Sequence, residues 1–166
     1  MRTSRHSIIV KAGLIIILTL CGFQVAPAKS GSENPALQPY QAEEDVGDIS
    51  PNGYYKTASF DVPAGKRLVV ELVTIKAIVD SGVIISEATI SVPKLGGGPR
   101  LNFHLTPAAI GTGPGCASCV TFVVTQPLQL YCDAGTGALQ IRTERTATSG
   151  LYSTRFSVSG HLVDLP

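Results

Sequence analysis

The chain has 166 residues, 44% hydrophobic and 15% charged, with a formal net charge of +1. That near-neutral balance gives no basic face for nucleic acid and no polybasic surface for anionic lipid. The length allows one domain with a real core, not two.

Residues 1–28 read as an export signal. Arg2, Arg5 and Lys11 form a basic n-region, residues 12–22 an apolar core, and Ala26-Pro27-Ala28 a small-x-small cleavage signature. Cleavage after Ala28 is expected, placing the chain in the periplasm or outside the cell with no membrane span left. The cut would remove three basic residues and leave ten against twelve acids, a charge near −2. It also removes Cys21, part of the discarded apolar core.

Residues 29–53 are rich in Ser, Gly, Pro and acids and show no apolar period. Such a composition buries too little surface to offset ordering entropy, so a flexible spacer is expected, with Tyr40 solvated.

From residue 54 the texture changes. Runs of Val, Ile, Thr and aromatics alternate with Gly, Pro and Ser every 8–14 residues, the signature of a sandwich or barrel over 54–166. Strands are predicted over 54–62, 67–79, 83–92 and 101–106. The 67–79 run is apolar at nearly every position and reads as a central strand, bent midway. Gly-rich loops are predicted over 94–100 and 107–118. Residues 120–125 and 128–132 read as a hairpin around Gln126-Pro127. In 139–145, Leu139, Ile141 and Thr143 face inward. In the last strand Tyr152, Thr154, Phe156, Val158, Gly160 and Leu162 share the inner face. About eight strands without helical spacing predict an all-β, two-sheet antiparallel sandwich of jelly-roll type. An immunoglobulin-like sandwich is the alternative, weakened by the absence of Trp and of two widely spaced cysteines.

Three cysteines remain after the leader: Cys116, Cys119 and Cys132. One bridge and one leftover thiol is the simplest arrangement in an oxidising compartment. If 125–128 is a hairpin tip, Cys119 lies opposite Cys132, so that bridge is expected. Cys116–Cys132 and Cys116–Cys119 are the alternatives. A redox Cys-x-x-Cys usually sits at a helix N-terminus, and this one precedes a strand.

No catalytic, cofactor or metal residues are assigned, and no cofactor is expected. The chain has no Gly-x-Ser-x-Gly elbow, phosphate loop or His-Glu-x-x-His motif. His104 and His161 alternate outward and read as surface residues. Glu71, inside an apolar run, is the acid expected to be partly buried, salt-bridged to a strand cation. These three are the candidates if the chain is enzymatic.

Three segments carry a resemblance: FDVPAGKRLVVE at 60–71, LYCDAG at 130–135 and SGHLVD at 159–164. Together they resemble a pattern in small exported bacterial β-sandwich proteins of unknown function. The resemblance implies a bacterial exported sandwich and carries no activity with it.

The expected function is therefore non-enzymatic binding of a protein, glycan or envelope component through the loops. Gly96, Gly97, Gly98, Arg100, Gly113 and Gly115 mark the candidate surface, since binding usually sits on loops of such scaffolds. The alternative is a small exported enzyme, a glycan hydrolase or a cupin-like metal enzyme.

Overall fold

Extended runs with one apolar face bury that face only against a second sheet, and two layers result. The computed structural model describes residues 38–47, 53–94, 96–112, 116 and 118–165. The export signal and the first part of the expected spacer lie outside them. The described residues form nine strands: β1 (Gln38–Val46), β2 (Tyr55–Phe60), β3 (Lys66–Asp80), β4 (Ile85–Val92), β5 (Leu101–Leu105), β6 (Ala108–Thr112), β7 (Cys119–Asp133), β8 (Leu139–Arg145) and β9 (Tyr152–Asp164). One sheet has the order β1-β9-β3-β7-β6, the other β2-β8-β4-β5.

Four antiparallel pairings are nested: β4 with β5, β3 with β7, β2 with β8 and β1 with β9. The chain is one long hairpin with its tip between β4 and β5, rolled so that alternate pairs fall in opposite sheets. That winding is the jelly roll. β6 is an extra strand on the edge of the larger sheet.

The core lies between the layers. Leu68, Val70, Val73, Ile75, Phe156 and Val158 meet Ala58, Ile90, Leu139 and Ile141. Each large apolar side chain fully buried there contributes about 1.5–3 kcal/mol. The alternation predicted for β8 and β9 matches the burial pattern, with Leu139, Ile141 and Thr143 buried, and Tyr152, Thr154, Phe156, Val158 and Leu162 buried. Arg145 continues the inner row of β8. Its guanidinium lies 4.7 Å from the Tyr152 ring and donates to the carbonyls of Gly53, Thr148, Gly150 and Leu151.

Four details depart from the sequence reading. First, residues 38–46 are a strand, not spacer. Nine residues of β1 pair with β9, and Tyr40, Ala42 and Val46 pack on the core. An edge strand needs only one modestly apolar face, and the acids between these residues hide the alternation. Tyr40 is accordingly half-buried, and burial raises its hydroxyl pKa, with Asp61 and Cys132 adding to the effect.

Second, the expected loop over 107–118 contains β6, whose five residues are all exposed. Backbone pairing to β7 holds it, and such pairing leaves no apolar trace in the sequence.

Third, β7 is one continuous strand of 15 residues with no hairpin at Pro127. β6 pairs with β7 only between Val120 and Val123. Pro127 therefore lies where β7 has an open side, the setting in which a strand tolerates a missing N–H.

Fourth, Glu71 is exposed rather than partly buried. It belongs to neither ladder of β3, because the register shifts between Val70 and Leu72 against both β7 and β9. Leu68 and Val70 face inward before this bulge, and Val73, Ile75, Ala77 and Val79 after it. One extra residue thus reverses the faces, and Glu71 turns to solvent.

Candidate functional site

The outer face of the β2-β8-β4-β5 sheet is built by simple alternation. Apolar residues at every second position turn to the core, so the residues between them form one continuous surface. Cross-strand register arranges that surface in rows. Thr57, Arg142, Thr89 and His104 stand side by side across the four strands. The row beside it is Ser59, Gln140, Ser91 and Asn102. On the other side Tyr55, Glu144 and Glu87 are aligned. Neighbouring strands lie about 4.8 Å apart.

These rows enclose a shallow depression of about 370 Å³ whose lining contains no apolar residue. Its one guanidinium is paired within the face. Arg142 forms an ion pair with Glu144, and His104 Nδ1 lies 3.4 Å from Glu87 Oε1. The Arg142 guanidinium also stacks on the Tyr55 ring at 4.3 Å, which holds an exposed aromatic at the margin. Ser91 Oγ donates to Asn102 Oδ1 at 2.7 Å, leaving the Asn102 amide donors for another partner.

Arg100 braces this face at Ser91. Its Nε donates to Ser91 Oγ at 2.8 Å, and its Nη2 donates to the carbonyls of Ser91 and Ala138 at 2.7 and 2.6 Å. The sequence pattern assigns Arg100 to a binding loop. In the structure it clamps that loop to β4 and to the start of β8. Gly96, Gly97 and Gly98 precede it at positive φ, and Gly113 and Gly115 lie outside the described residues.

The three side chains weighed for an enzyme do not converge. His104 is on the four-stranded sheet. His161 and Glu71 sit together on the outer face of the five-stranded sheet, with His161 Nδ1 3.0 Å from Glu71 Oε1. Among the described residues no group of three or more His, Cys, Asp or Glu side chains could hold a metal ion.

The bridge also differs from the expected one. Cys116 and Cys119 are disulfide-bonded with Cα atoms 5.4 Å apart, and Cys132 is a buried free thiol. The physical reason is β7 itself. Cys119 and Cys132 stand at opposite ends of one extended strand, on the order of 40 Å apart at about 3.3 Å per residue. No bridge spans that distance. Burial raises the pKa of the Cys132 thiol, which favours the inert protonated form.

No protein-family model matches the chain, and no curated protein matches it. Among the described residues no helix is long and apolar enough to cross a membrane.

The polar face was missed in the sequence because only register reveals it. Thr57, Thr89, Asn102, Gln140 and Arg142 come from four separate strands, and each alone reads as solvated decoration. The available signal was the purity of the outward positions: every one on β4 and β8 from Glu87 onward is polar or charged.

Proposed function

We propose that this is an exported, non-enzymatic binding protein that holds a neutral glycan on the outer face of the four-stranded sheet. The observation that carries the reading is the depression lined wholly by polar side chains, with Tyr55 at its margin. Sugars present hydroxyls that donate and accept at once. A field of paired carboxylate, guanidinium, amide and hydroxyl groups offers both roles across several strands. Arg142 is paired with Glu144, and Glu87 adds a further carboxylate, so the face offers no net positive field for a phosphate or a polyanion. A disulfide at Cys116–Cys119 suits an oxidising compartment. The leader-like residues 1–28 and the resemblance to small exported bacterial sandwiches support export.

The test is a panel of immobilised neutral oligosaccharides, followed by calorimetry on any that bind. Arg142→Ala and Asn102→Ala should each weaken binding about tenfold or more, near 1.4 kcal/mol. Affinity should change little with added salt, since a neutral ligand brings no charge to screen. Absence of binding across the panel, or binding indifferent to both substitutions, would refute the reading.

One observation favours a second reading, a glycan hydrolase on the same face. Glu87 and Glu144 are direct cross-strand partners, and glycoside hydrolysis uses a pair of carboxyl groups. Release of reducing ends from a bound oligosaccharide, abolished by Glu144→Gln, would establish it.

A further inference from the structure

The free sheet edges differ in how they are guarded. β1 carries Pro39 and the acids Glu43, Glu44 and Asp45. β6 is broken by a register shift between Ala109 and Gly111. The stretch of β7 beyond β6 carries Pro127. β2 is tied toward β1, with the Ser59 N–H donating to Glu44 Oε2 at 3.1 Å and Lys56 Nζ donating to the Gly47 carbonyl at 2.9 Å. Proline, charge and bulges are devices that stop an edge from accepting another strand.

β5 has none of them. It contains no Pro and no Lys, and its register with β4 is unbroken from Leu101 to Leu105. Leu101 and Phe103 lie opposite Val92 and Ile90, on the apolar side of the sheet, yet are 47% and 39% exposed. They open onto a mostly apolar seam of about 470 Å³ shared with Val92, Pro93, Lys94, Gln129, Leu130 and Tyr131.

The segment Leu-Asn-Phe-His-Leu reads the same in chemical class from either end. An antiparallel two-fold axis through Phe103 sets Phe103 against its own copy. Leu101 then meets Leu105 on the apolar side, and Asn102 meets His104 on the polar side. Of the registers that keep apolar opposite apolar, this one alone pairs all five residues of β5 with residues of β5, and a slip of one residue would set Leu and Phe against Asn and His. A two-fold contact pairs a strand with its own reverse, and the apolar and polar positions of β5 coincide with those of its reverse, so this edge is complementary to a second copy of itself.

We propose that the chain is a two-fold dimer joined through β5, with the two four-stranded sheets continuous as one sheet of eight. The proposal does not rest on what the polar face binds, although Asn102 and His104 border both surfaces. Its test is sedimentation equilibrium on the full chain, expressed with residues 1–28 in place and purified as it emerges. A mass of two chains is expected in the micromolar range. Phe103→Asp opposes two like charges at the axis and should weaken association at least tenfold while the far-ultraviolet circular dichroism stays unchanged.

Cysteine substitution checks the register even if Phe103→Asp fails to fold. Directly opposed antiparallel residues have Cα atoms about 4.5–5.5 Å apart, within disulfide reach. Phe103→Cys should therefore give a covalent dimer on oxidation. Leu101→Cys should not, because positions 101 of the two copies stand four residues apart. A monomer at tens of micromolar overturns the proposal. So does equal cross-linking at 101 and 103, a dimer that survives Phe103→Asp, or a monomer carrying a peptide in the seam.

Discussion

Gly160→Ala is the sharpest test of the bulge that organises the larger sheet. Gly160 pairs with Tyr40 of β1 on one side and with Val70 of β3 on the other. A Cβ built there would overlap the carbonyl oxygen of Val69 and come within 3.0 Å of its carbon and 3.2 Å of the Glu71 nitrogen. All three atoms are backbone, and β9 is held from both sides, so neither strand can yield by a side-chain rotation. The requirement is space, not a left-handed backbone. Overpacking costs about 1–3 kcal/mol where side chains can move, and a backbone clash in a central strand belongs at the upper end, about 3 kcal/mol. For a domain of this size that lowers the melting temperature by roughly 10 °C. Urea unfolding should show the same loss as a lower midpoint with little change in slope. Ser159→Ala, one residue away, should stay within about 0.5 kcal/mol of the parent. A Gly160→Ala protein as stable as Ser159→Ala would refute the close approach and the bulge geometry built on it.

Three further outcomes follow from the same structure. Alkylation of the chain freed of residues 1–28, without reductant, should label no cysteine while it is folded and Cys132 alone once it is denatured; a label on Cys116 would restore the Cys119–Cys132 bridge. Asp133 accepts hydrogen bonds from Arg67 at 2.6 and 2.8 Å, which hold its carboxyl below the usual carboxylate range. A depressed folded-state pKa stabilises above the unfolded value of about 3.9, and that contribution fades as pH falls through the lower folded value. Asp133→Asn should thus be less stable than the parent at pH 7, and equal to it once both carboxyl forms are protonated. A gap that persists unchanged at pH 2 would contradict this. Tyr152, whose pKa is raised chiefly by burial, shares a 2.7 Å hydrogen bond with the Thr143 hydroxyl. Tyr152→Phe should cost about 1–2 kcal/mol in thermal unfolding at pH 7 by stranding that hydroxyl, and an unchanged midpoint would show the bond contributes nothing.

Strand content and facing were legible wherever one face is decisively apolar. Leu139, Ile141 and Thr143 in β8, and Tyr152 to Leu162 in β9, obey alternation because both strands lie inside a sheet and press on the core. Legibility failed at the edges. β1 and β6 owe their existence to pairing with β9 and β7, and pairing depends on partners 108 to 124 and 8 to 15 residues away, respectively, in the chain. Pro127 looked like a turn because a proline forbids a central ladder position, and only the shortness of β6 shows that its position is open. Glu71 looked buried because apolar neighbours flank it, but a bulge rotates it outward. The candidate site was illegible for a related reason: its rows exist across strands and not along them.

The proposed glycan-binding face is the set of polar rows on the four-stranded sheet. A nitrogen-15 amide shift map of the full chain, titrated with neutral oligosaccharides from the panel, tests it most directly. Concerted shifts are expected at Thr57, Thr89, Asn102, Gln140 and Arg142, with Tyr55 moving at the margin. Shifts confined to residues 96–100 or to the five-stranded sheet, or no shifts at all, would contradict it.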